Sequence, residues 1–361
     1  MMDYIEINGY KSIKAAKVEL RPINILIGAN GSGKSNFLSF FELLNSFYNR
    51  KLQEYINFNG GVDTFLYNGS KISKGISYKI SFDNENIQYV VNLLNTATGL
   101  GIRSEAIRYP KDKDWLTINF ELQKESELKR SDTKAAKEIN TNLDSIKSYH
   151  FNDTSINSPF VKMSNIENDF FYLYNDGRNL AAYLYYIKET NKTTYNLIIS
   201  TIQSVMPNFS DFYLQPNDNN FLALKWNDKY SDTVYGVNNL SDGTQRFIAL
   251  AVLFLQPNPP KTIIIDEPEL GLHPFAVAKL AGMIKSAAGG SSQVIVATQS
   301  AELISNFDFE DIIAVDSING ESVFNRLNSE DWKNWIDNYT IGDLWRQNIL
   351  NKGDKNLHIM N

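Results

Sequence analysis

The sequence predicts an α/β protein with a mixed or parallel sheet at its core, an antiparallel β-subdomain and an inserted, α-rich lobe. Residues 23–27 (INILI) form a continuous apolar run, as a strand buried on both faces requires, and lead through a glycine-rich loop into a helical pattern. Patterns of buried strands and helices then alternate from residue 244 to residue 315. Such alternation is typical of a parallel sheet with crossover helices.

Length and composition set the class of protein. The chain has 361 residues, of which 43% are hydrophobic and 21% charged, as in ordinary globular proteins of one large or two to three small domains. It has no apolar run of about 18 residues and no leader-like start, so we expect a cytoplasmic protein without membrane contact. A net charge of −6 gives nucleic acid no bulk attraction. The absence of cysteine excludes disulfides, thiol nucleophiles and cysteine-based metal sites, and three histidines argue against a His-rich one.

The first third of the chain predicts strands around one helix. The helical pattern covers residues 34–50, and residues 75–91 read as a hairpin turning at the sequence DNEN. Further alternating or apolar patterns predict strands at residues 4–8, 18–20 and 115–122.

The middle of the chain is more polar. Residues 123–147 predict a solvated helix or a partly disordered excursion, because acidic neighbours accompany the basic run at Lys129 and Arg130. Helices with aromatic faces are predicted at 168–189 and 195–205, and a strand at 221–226. The final third predicts helices at 244–255 and 275–288 and strands at 262–265, 294–297 and 312–315.

A phosphate-binding loop follows the first buried strand. The sequence from Gly28 to Ser35 (GANGSGKS) matches G-x-x-x-x-G-K-[ST] between a predicted strand and a predicted helix. Backbone N–H groups of such a loop surround phosphates, its lysine bridges the β- and γ-phosphates, and its serine hydroxyl binds Mg²⁺. We therefore expect ATP and Mg²⁺ as ligands, with Lys34 also catalytic. The expected nucleotide contacts are Asn30, Gly31, Ser32, Gly33, Lys34, Ser35 and Asn36.

A second motif ends a buried strand with two carboxylates. The sequence TIIIDEP delivers Asp266 at the carboxyl end of the strand, where it predicts a Mg²⁺ partner for Ser35, the Walker B arrangement. Glu267 is then the residue that activates or orients the attacking water. The alternative is a strand capped by a solvated acidic turn.

A third motif, LSDGT, precedes Asp266 by 26 positions and resembles the signature loop of ABC-type ATPases. Ser241 and the Gly243 backbone, at the start of a helix, are candidates to hold a γ-phosphate. Far more residues separate Ser35 from Asp266 than one βαβ crossover needs. Taken alone, LSDGT is an ordinary capped helix start.

Two shorter segments complete the pattern. ELGLHP follows Asp266 where ABC-type proteins carry the D-loop, and we expect a structural or interface role for His273. Gln299, in ATQS, stands where a switch histidine usually senses the γ-phosphate, and we count it among the catalytic candidates. A glutamine amide forms hydrogen bonds but does not titrate, which puts turnover in doubt more than binding.

The order of these parts resembles the stand-alone ATPases of the RecF/SMC/OLD branch of the ABC superfamily, over nearly the full chain. The resemblance also includes YKSI, SYHFNDTS, DGRNLAAYLY and IGDLWRQNIL. It implies an ABC-type ATPase head that dimerises with ATP between two copies, where Ser241 and Gly243 act in trans. It further implies work in DNA repair or anti-phage defence, with DNA as a candidate partner and a separate effector or nuclease protein. The last 45 or so residues show no clustered acidic site of a Toprim nuclease.

The resemblance also suggests a domain division. Residues 1–60 carry the first part of the ATPase core, 61–230 the inserted β/helical lobe, 231–350 the second part of the core, and 351–361 a tail. The Q-loop glutamine is not identified; Gln53 and Gln88 are available, each with the pattern of a surface residue. His150 and Asp153, in SYHFNDTS, are expected to brace the lobe.

Two other functions remain open. A nucleotide-gated scaffold would bind ATP with negligible turnover. Gln299 favours it, and so does the altered signature, in which Asp242 stands in place of the usual first glycine. A transporter's nucleotide-binding subunit is the third candidate. The large insertion and the missing switch histidine argue against it.

Overall fold

The computed structural model describes residues 1–109, 115–119, 122–155, 157–336 and 339–350. The chain forms two compact units. The core unit comprises the described residues of Met1–Lys147, Lys261–Ile264 and Gln293–Asn361, and the helical unit comprises those of Ser148–Pro260 and Ile265–Ser292. The expected tail at 351–361 lies outside the described residues.

Strands occur in both units. In chain order they are β1 (Met2–Tyr10), β2 (Ile13–Glu19), β3 (Ile23–Ile27), β4 (Gly75–Phe82), β5 (Ile87–Thr96), β6 (Gly99–Arg108), β7 (Leu116–Asn119), β8 (Ile146–Tyr149), β9 (Ser164–Asn165), β10 (Phe209–Phe212), β11 (Phe221–Leu222), β12 (Lys225–Asp228), β13 (Val234–Gly236), β14 (Thr262–Asp266), β15 (Gln293–Thr298), β16 (Ile312–Ile318) and β17 (Glu321–Arg326).

The helices are fewer, and the longest flank the predicted motifs. They are α1 (Lys34–Tyr48), α2 (Leu52–Phe58), α3 (Lys134–Asp144), α4 (Leu180–Thr190), α5 (Lys192–Val205), α6 (Asp242–Leu255), α7 (Pro274–Gly290), α8 (Ala301–Ile304), α9 (Lys333–Ile336) and α10 (Ile341–Arg346). Among the described residues, no helix combines the length and the apolar character needed to cross a membrane.

Two six-stranded sheets organise the core unit. One is antiparallel, with the order β2-β1-β4-β5-β6-β7. The other has the order β17-β16-β3-β15-β14-β8; β3 pairs in parallel with both β15 and β16, while β16 and β17 are antiparallel. The predicted mixed core sheet and antiparallel β-subdomain are therefore confirmed.

The aromatic face of α1 anchors the core unit. Phe40 is fully buried, and its ring centroid lies 5.7 Å from that of Tyr10 and 5.2 Å from that of Tyr78, both edge-on. Burying one such side chain contributes about 2–3 kcal/mol. The helix that begins at the phosphate loop is thereby fixed against the antiparallel sheet.

The helical unit contains α4, α5, α6 and α7, which contact one another in that order. Helix α6 is buried along nearly its whole length, from Gln245 to Phe254. Two small sheets, β10-β12-β13 and β11-β9, accompany the helices. Helices α4 and α5 fall in the predicted inserted lobe, whereas α6 and α7 fall in the predicted second part of the ATPase core. The predicted boundaries at residues 60 and 230 stay a prediction.

Several local predictions were wrong. The helix expected at 168–189 begins only at Leu180, because Asn179 holds the preceding segment in a loop: its amide donates to Asp169 O (2.8 Å) and Tyr172 O (2.7 Å) and accepts from Tyr174 N (2.8 Å). Gln88 is not at the surface; it is 8% exposed within β5.

The polar segment at 123–147 is partly buried rather than fully solvated. Helix α3 is capped by Thr133, and Ile139 and Leu143 face the core. Lys129 lies 3.6 Å from Asp144, and Arg130 lies 3.5 Å from Glu127, so both cations have carboxylate partners. Of the strand expected at 115–122, the structure describes Leu116–Asn119 as β7.

Candidate functional site

The glycine loop joins β3 to α1 in the core unit, and its backbone requires glycine at two positions. A Cβ on Gly28 would collide with Val315 O and Ser32 Oγ. Gly33 has a φ of 112°, in the left-handed region, and a Cβ there would collide with Ser322 Oγ. The loop therefore packs against β16 and β17 with no room for side chains at these points.

Lys34 begins α1 and folds back over the loop. Its side chain is 6% exposed, and Nζ donates to Gly28 O at 2.6 Å and to Ala29 O at 3.1 Å. No side chain caps the start of α1. A lysine ammonium and the uncapped N–H groups of a 15-residue helix together form a donor set that fits phosphate.

The other expected loop contacts differ in exposure. Asn30, Gly31 and Ser35 are exposed, as ligand-facing groups of this loop should be. Ser32 is 3% exposed, and its Oγ has no hydrogen-bond partner within the described chain. The Asn36 amide donates to Ser12 Oγ at 2.7 Å, which gives it a structural contact; a nucleotide contact of Asn36 stays a prediction.

An open, polar cavity of about 590 Å³ adjoins the first turn of α1. It shares Ser12 and Asn36 with the neighbourhood of the loop, and Lys11 stands at its wall. Lys11 Nζ donates to Ser39 Oγ at 2.8 Å, and burial lowers its pKa. The other lining residues are Asn59, Asp63, Thr64, Phe65, Leu66, Asn68, Gly69 and Gly320. The cavity was not predicted, since its lining comes from four separate segments.

Gln299 follows β15 in the core unit. Strands β3 and β15 are adjacent and parallel, and Ile27 pairs with Thr298. Gly28 and Gln299 therefore follow the carboxyl ends of these two strands side by side. The Gln299 side chain is exposed, and its carbonyl accepts a hydrogen bond from Trp345 Nε1 at 3.3 Å. The segment IGDLWRQNIL thus contacts Gln299, whose role as the switch residue stays a prediction.

Asp266 is the last residue of β14, and Glu267 follows it with an unusual backbone. Both side chains are half-buried. Glu267 has a φ of 45°, a left-handed conformation that non-glycine residues adopt at a cost of about 1–2 kcal/mol. Its carbonyl accepts from Leu270 N at 3.2 Å. The role of the Glu267 carboxylate stays a prediction.

The LSDGT segment begins α6 in the helical unit. Ser241 is the N-cap, and its Oγ accepts from Thr244 N at 3.2 Å, the capping role that the bare motif predicts. A Cβ on Gly243 would collide with Gly271 O, so the first turn of α6 and the segment after Asp266 touch backbone to backbone. His273 caps α7, accepting from Phe275 N at 3.3 Å, as its expected structural role requires.

Arg246 is the residue that the sequence analysis missed. It is 5% exposed, and its guanidinium donates to Phe151 O (3.1 Å), Asn152 O (3.3 Å) and Leu270 O. Burial lowers its pKa below the usual range. The Arg246 side chain thus connects three segments: helix α6, the segment after Asp266, and SYHFNDTS. The available signal was a single arginine at the start of the otherwise apolar helical run FIALAVLFL.

His150 and Asp153, in the same SYHFNDTS segment, make local contacts. His150 N donates to Asn175 O at 2.9 Å, and Asp153 accepts from Ser155 N at 3.0 Å. Hydrogen bonding from the Ser155 side chain, and then from its backbone N–H, lowers the pKa of the exposed Asp153 carboxyl. These contacts suit a bracing role, which stays a prediction.

The remaining glutamine candidate, Gln53, lies in α2. Its amide donates to Leu100 O (2.8 Å) and to Lys124 O (3.0 Å), so it links α2 to the antiparallel sheet. Among the described residues, no group of three or more His, Asp or Glu side chains converges as a metal site. Magnesium in nucleotide sites characteristically uses one or two protein ligands plus phosphate oxygens, so Ser35 and Asp266 stay its predicted ligands.

Comparisons with known proteins agree with this architecture. A family model described as "AAA domain, putative AbiEii toxin, Type IV TA system" matches residues 23–305, well over half of the chain. No protein of curated function matches the sequence.

Two solved structures share the fold. An Smc head bound to the C-winged helix domain of ScpA is 18% identical with a TM-score of 0.61, covering 92% of this chain and 99% of that one. An Smc head domain with an extended coiled coil, bound to the C-terminal domain of ScpA from Pyrococcus furiosus, is 16% identical with a TM-score of 0.57 over 93% and 98%. The chain has the fold of an ABC-type ATPase head, shared with these Smc heads, and it belongs to the AAA-domain family of that model.

Proposed function

We propose that this protein binds and hydrolyses ATP, dimerises on ATP, and couples its nucleotide state to DNA or to a separate effector protein. The observation that carries the proposal is the glycine loop at the uncapped start of α1, over which Lys34 is folded. The match of residues 23–305 to an AAA-domain family supports the same proposal.

Each part of the nucleotide has a candidate partner in the chain. The backbone of residues 30–36 and the ammonium of Lys34 bind the phosphates, and the cavity beside α1 accepts the base and ribose. Ser35 and Asp266 hold Mg²⁺, which when bound neutralises charge developing on the phosphate oxygens. Glu267 orients the attacking water, and Gln299 hydrogen-bonds the γ-phosphate or that water without carrying a proton.

We further propose that Ser241 and Gly243 act on the nucleotide of a second copy. Their place at the N-terminus of the 14-residue helix α6 supplies N–H groups and a favourable dipole for a phosphate. The similar Smc heads bind ScpA, which supports a separate protein partner here as well. The toxin named in the family description supports a role in defence, with DNA repair as the other candidate.

The second candidate function is a nucleotide-gated scaffold with negligible turnover. Gln299 at the switch position favours it, because glutamine cannot accept a proton there. Both candidates require ATP-dependent dimerisation, so turnover discriminates between them. Release of phosphate by the wild type, lost in Glu267→Gln, identifies an enzyme; no release by either protein identifies the scaffold.

The first test is the mass of Glu267→Gln by light scattering, with and without ATP and Mg²⁺. We expect a shift from 41.1 kDa to about twice that value only when ATP is present. Lys34→Ala in the same background should abolish the shift, whereas the matched change Lys14→Ala, at an exposed lysine of β2, should leave it intact. A mass independent of nucleotide would overturn dimerisation on ATP.

A further inference from the structure

A buried serine of β17 contacts the glycine loop at Ser32 and Gly33. Ser322 is 2% exposed, and its Oγ lies 2.7 Å from Ser32 O and 2.7 Å from Ser12 Oγ. The Asn36 amide lies 2.7 Å from the same Ser12 Oγ. In addition, Ser322 N donates to Ser12 O at 2.8 Å, which fixes β17 to the turn between β1 and β2.

The number of protons fixes the direction of these hydrogen bonds. A carbonyl oxygen only accepts, so the single hydroxyl proton of Ser322 goes to Ser32 O. Ser322 Oγ must then accept from the Ser12 hydroxyl, and Ser12 Oγ accepts from the Asn36 amide. The result is one directed chain from Asn36 through Ser12 and Ser322 to Ser32 O.

This chain orients one peptide plane of the loop. In a trans peptide the C=O and the following N–H point in opposite directions. Because Ser322 holds Ser32 O on its own side, the N–H of Gly33 points away from β17. The Ser322 hydroxyl also fills the space that a Cβ on Gly33 would need.

We propose that Ser322 is a positioning residue for nucleotide binding, acting with Ser12 and Asn36 to present the Gly33 N–H to a phosphate. The proposal rests on the proposed function, since it assumes that the loop binds phosphate. Ser322 itself does not touch the nucleotide. Its contribution is to hold the donor in its binding orientation before the ligand arrives, which lowers the cost of ordering the loop.

The test measures binding of ATP with Mg²⁺, and competition by inorganic pyrophosphate, for Ser322→Ala. Loss of one net hydrogen bond predicts about 5-fold weaker binding of both ligands. The matched control is Ser317→Ala, because Ser317 pairs with Ser322 across the β16–β17 hairpin but is exposed; it should bind as the wild type does. Ser322→Cys, which keeps a weak donor, should give an intermediate loss.

Ser12→Ala tests whether the hydrogen bonds from Asn36 to Ser32 O form one directed chain. It leaves the Ser322 bond to Ser32 O in place, so we expect only about a 2-fold loss, and no further loss when it is added to Ser322→Ala. The proposal would be overturned if Ser322→Ala bound ATP and pyrophosphate as tightly as Ser317→Ala does. A lower melting temperature of Ser322→Ala with unchanged affinity for both ligands would count against it in the same way. If the wild type itself binds neither ATP nor pyrophosphate, the proposed function fails instead.

Discussion

The buried guanidinium of Arg246 allows a worked prediction of stability. Arg246→Met keeps the length of the side chain and removes all three hydrogen bonds to main-chain carbonyls of the helical unit. Each lost bond costs about 1 kcal/mol net, so we expect the free energy of unfolding to fall by about 3 kcal/mol. Arg246→Lys retains the charge but reaches fewer carbonyls, and should lose about 2 kcal/mol on the same reasoning.

Urea unfolding followed by circular dichroism measures this effect. With a slope near 3 kcal/mol/M, a loss of 3 kcal/mol lowers the midpoint by about 1 M. Lys279→Met, at an exposed lysine of the same unit, is the matched control and should shift the midpoint little. An Arg246→Met protein with the wild-type midpoint would refute the view that this arginine holds α6, residue 270 and residues 151–152 together.

Three further predictions concern other parts of the chain. Gly243→Ala should destabilise the fold by about 1–3 kcal/mol, because the added Cβ would collide with Gly271 O. Gly282→Ala is the matched control: this position in α7 faces open space, so alanine should stabilise the fold by about 0.5–1 kcal/mol. Thermal melts of the two variants measure the difference. Burial raises the pKa of the Glu105 carboxyl in the folded protein above its value in the unfolded chain. The contribution of this carboxyl to the free energy of unfolding is therefore complete when the pH is below the unfolded-state pKa, and it is lost as the pH rises through the folded-state pKa. The urea midpoint of Glu105→Gln relative to wild type should therefore rise as pH increases above the unfolded glutamate pKa of about 4.3, and a constant difference would contradict this. Trp345→Phe removes the donor to the Gln299 carbonyl and should lower kcat for ATP without changing ATP affinity; equal losses in both would refute a specific effect on the switch position.

The sequence predicted the elements whose signal is local. A continuous apolar run defined β3, glycine spacing defined the loop after it, and the carboxylates of Asp266 and Glu267 followed from the end of an apolar strand. The glycine loop can be recognised in this way because its glycines, lysine and serine are contiguous in the chain, although packing against β16 and β17 explains why Gly28 and Gly33 carry no side chain.

What the sequence could not predict depends on contacts between distant segments. The contacts of Arg246 with the backbone at 151 and 152 join positions 95 and 94 residues apart, and Ser322 reaches Ser32 across 290 residues. The loop at 168–179 was read as helix because its aromatic spacing is helical. The hydrogen bonds of Asn179 override that pattern, and helical periodicity carries no information about them.

The strand order around β3 has a consequence for synthesis of the protein. Both neighbours of β3, strands β15 and β16, are contributed by residues 293–318, so the strand that carries the phosphate loop has no sheet partner until most of the chain has left the ribosome. Such long-range parallel pairing is slow to form. The antiparallel sheet, by contrast, is complete in sequence by residue 119. We therefore expect nascent chains that end before residue 293 to protect β4–β6 from proteolysis while leaving the glycine loop open to cleavage.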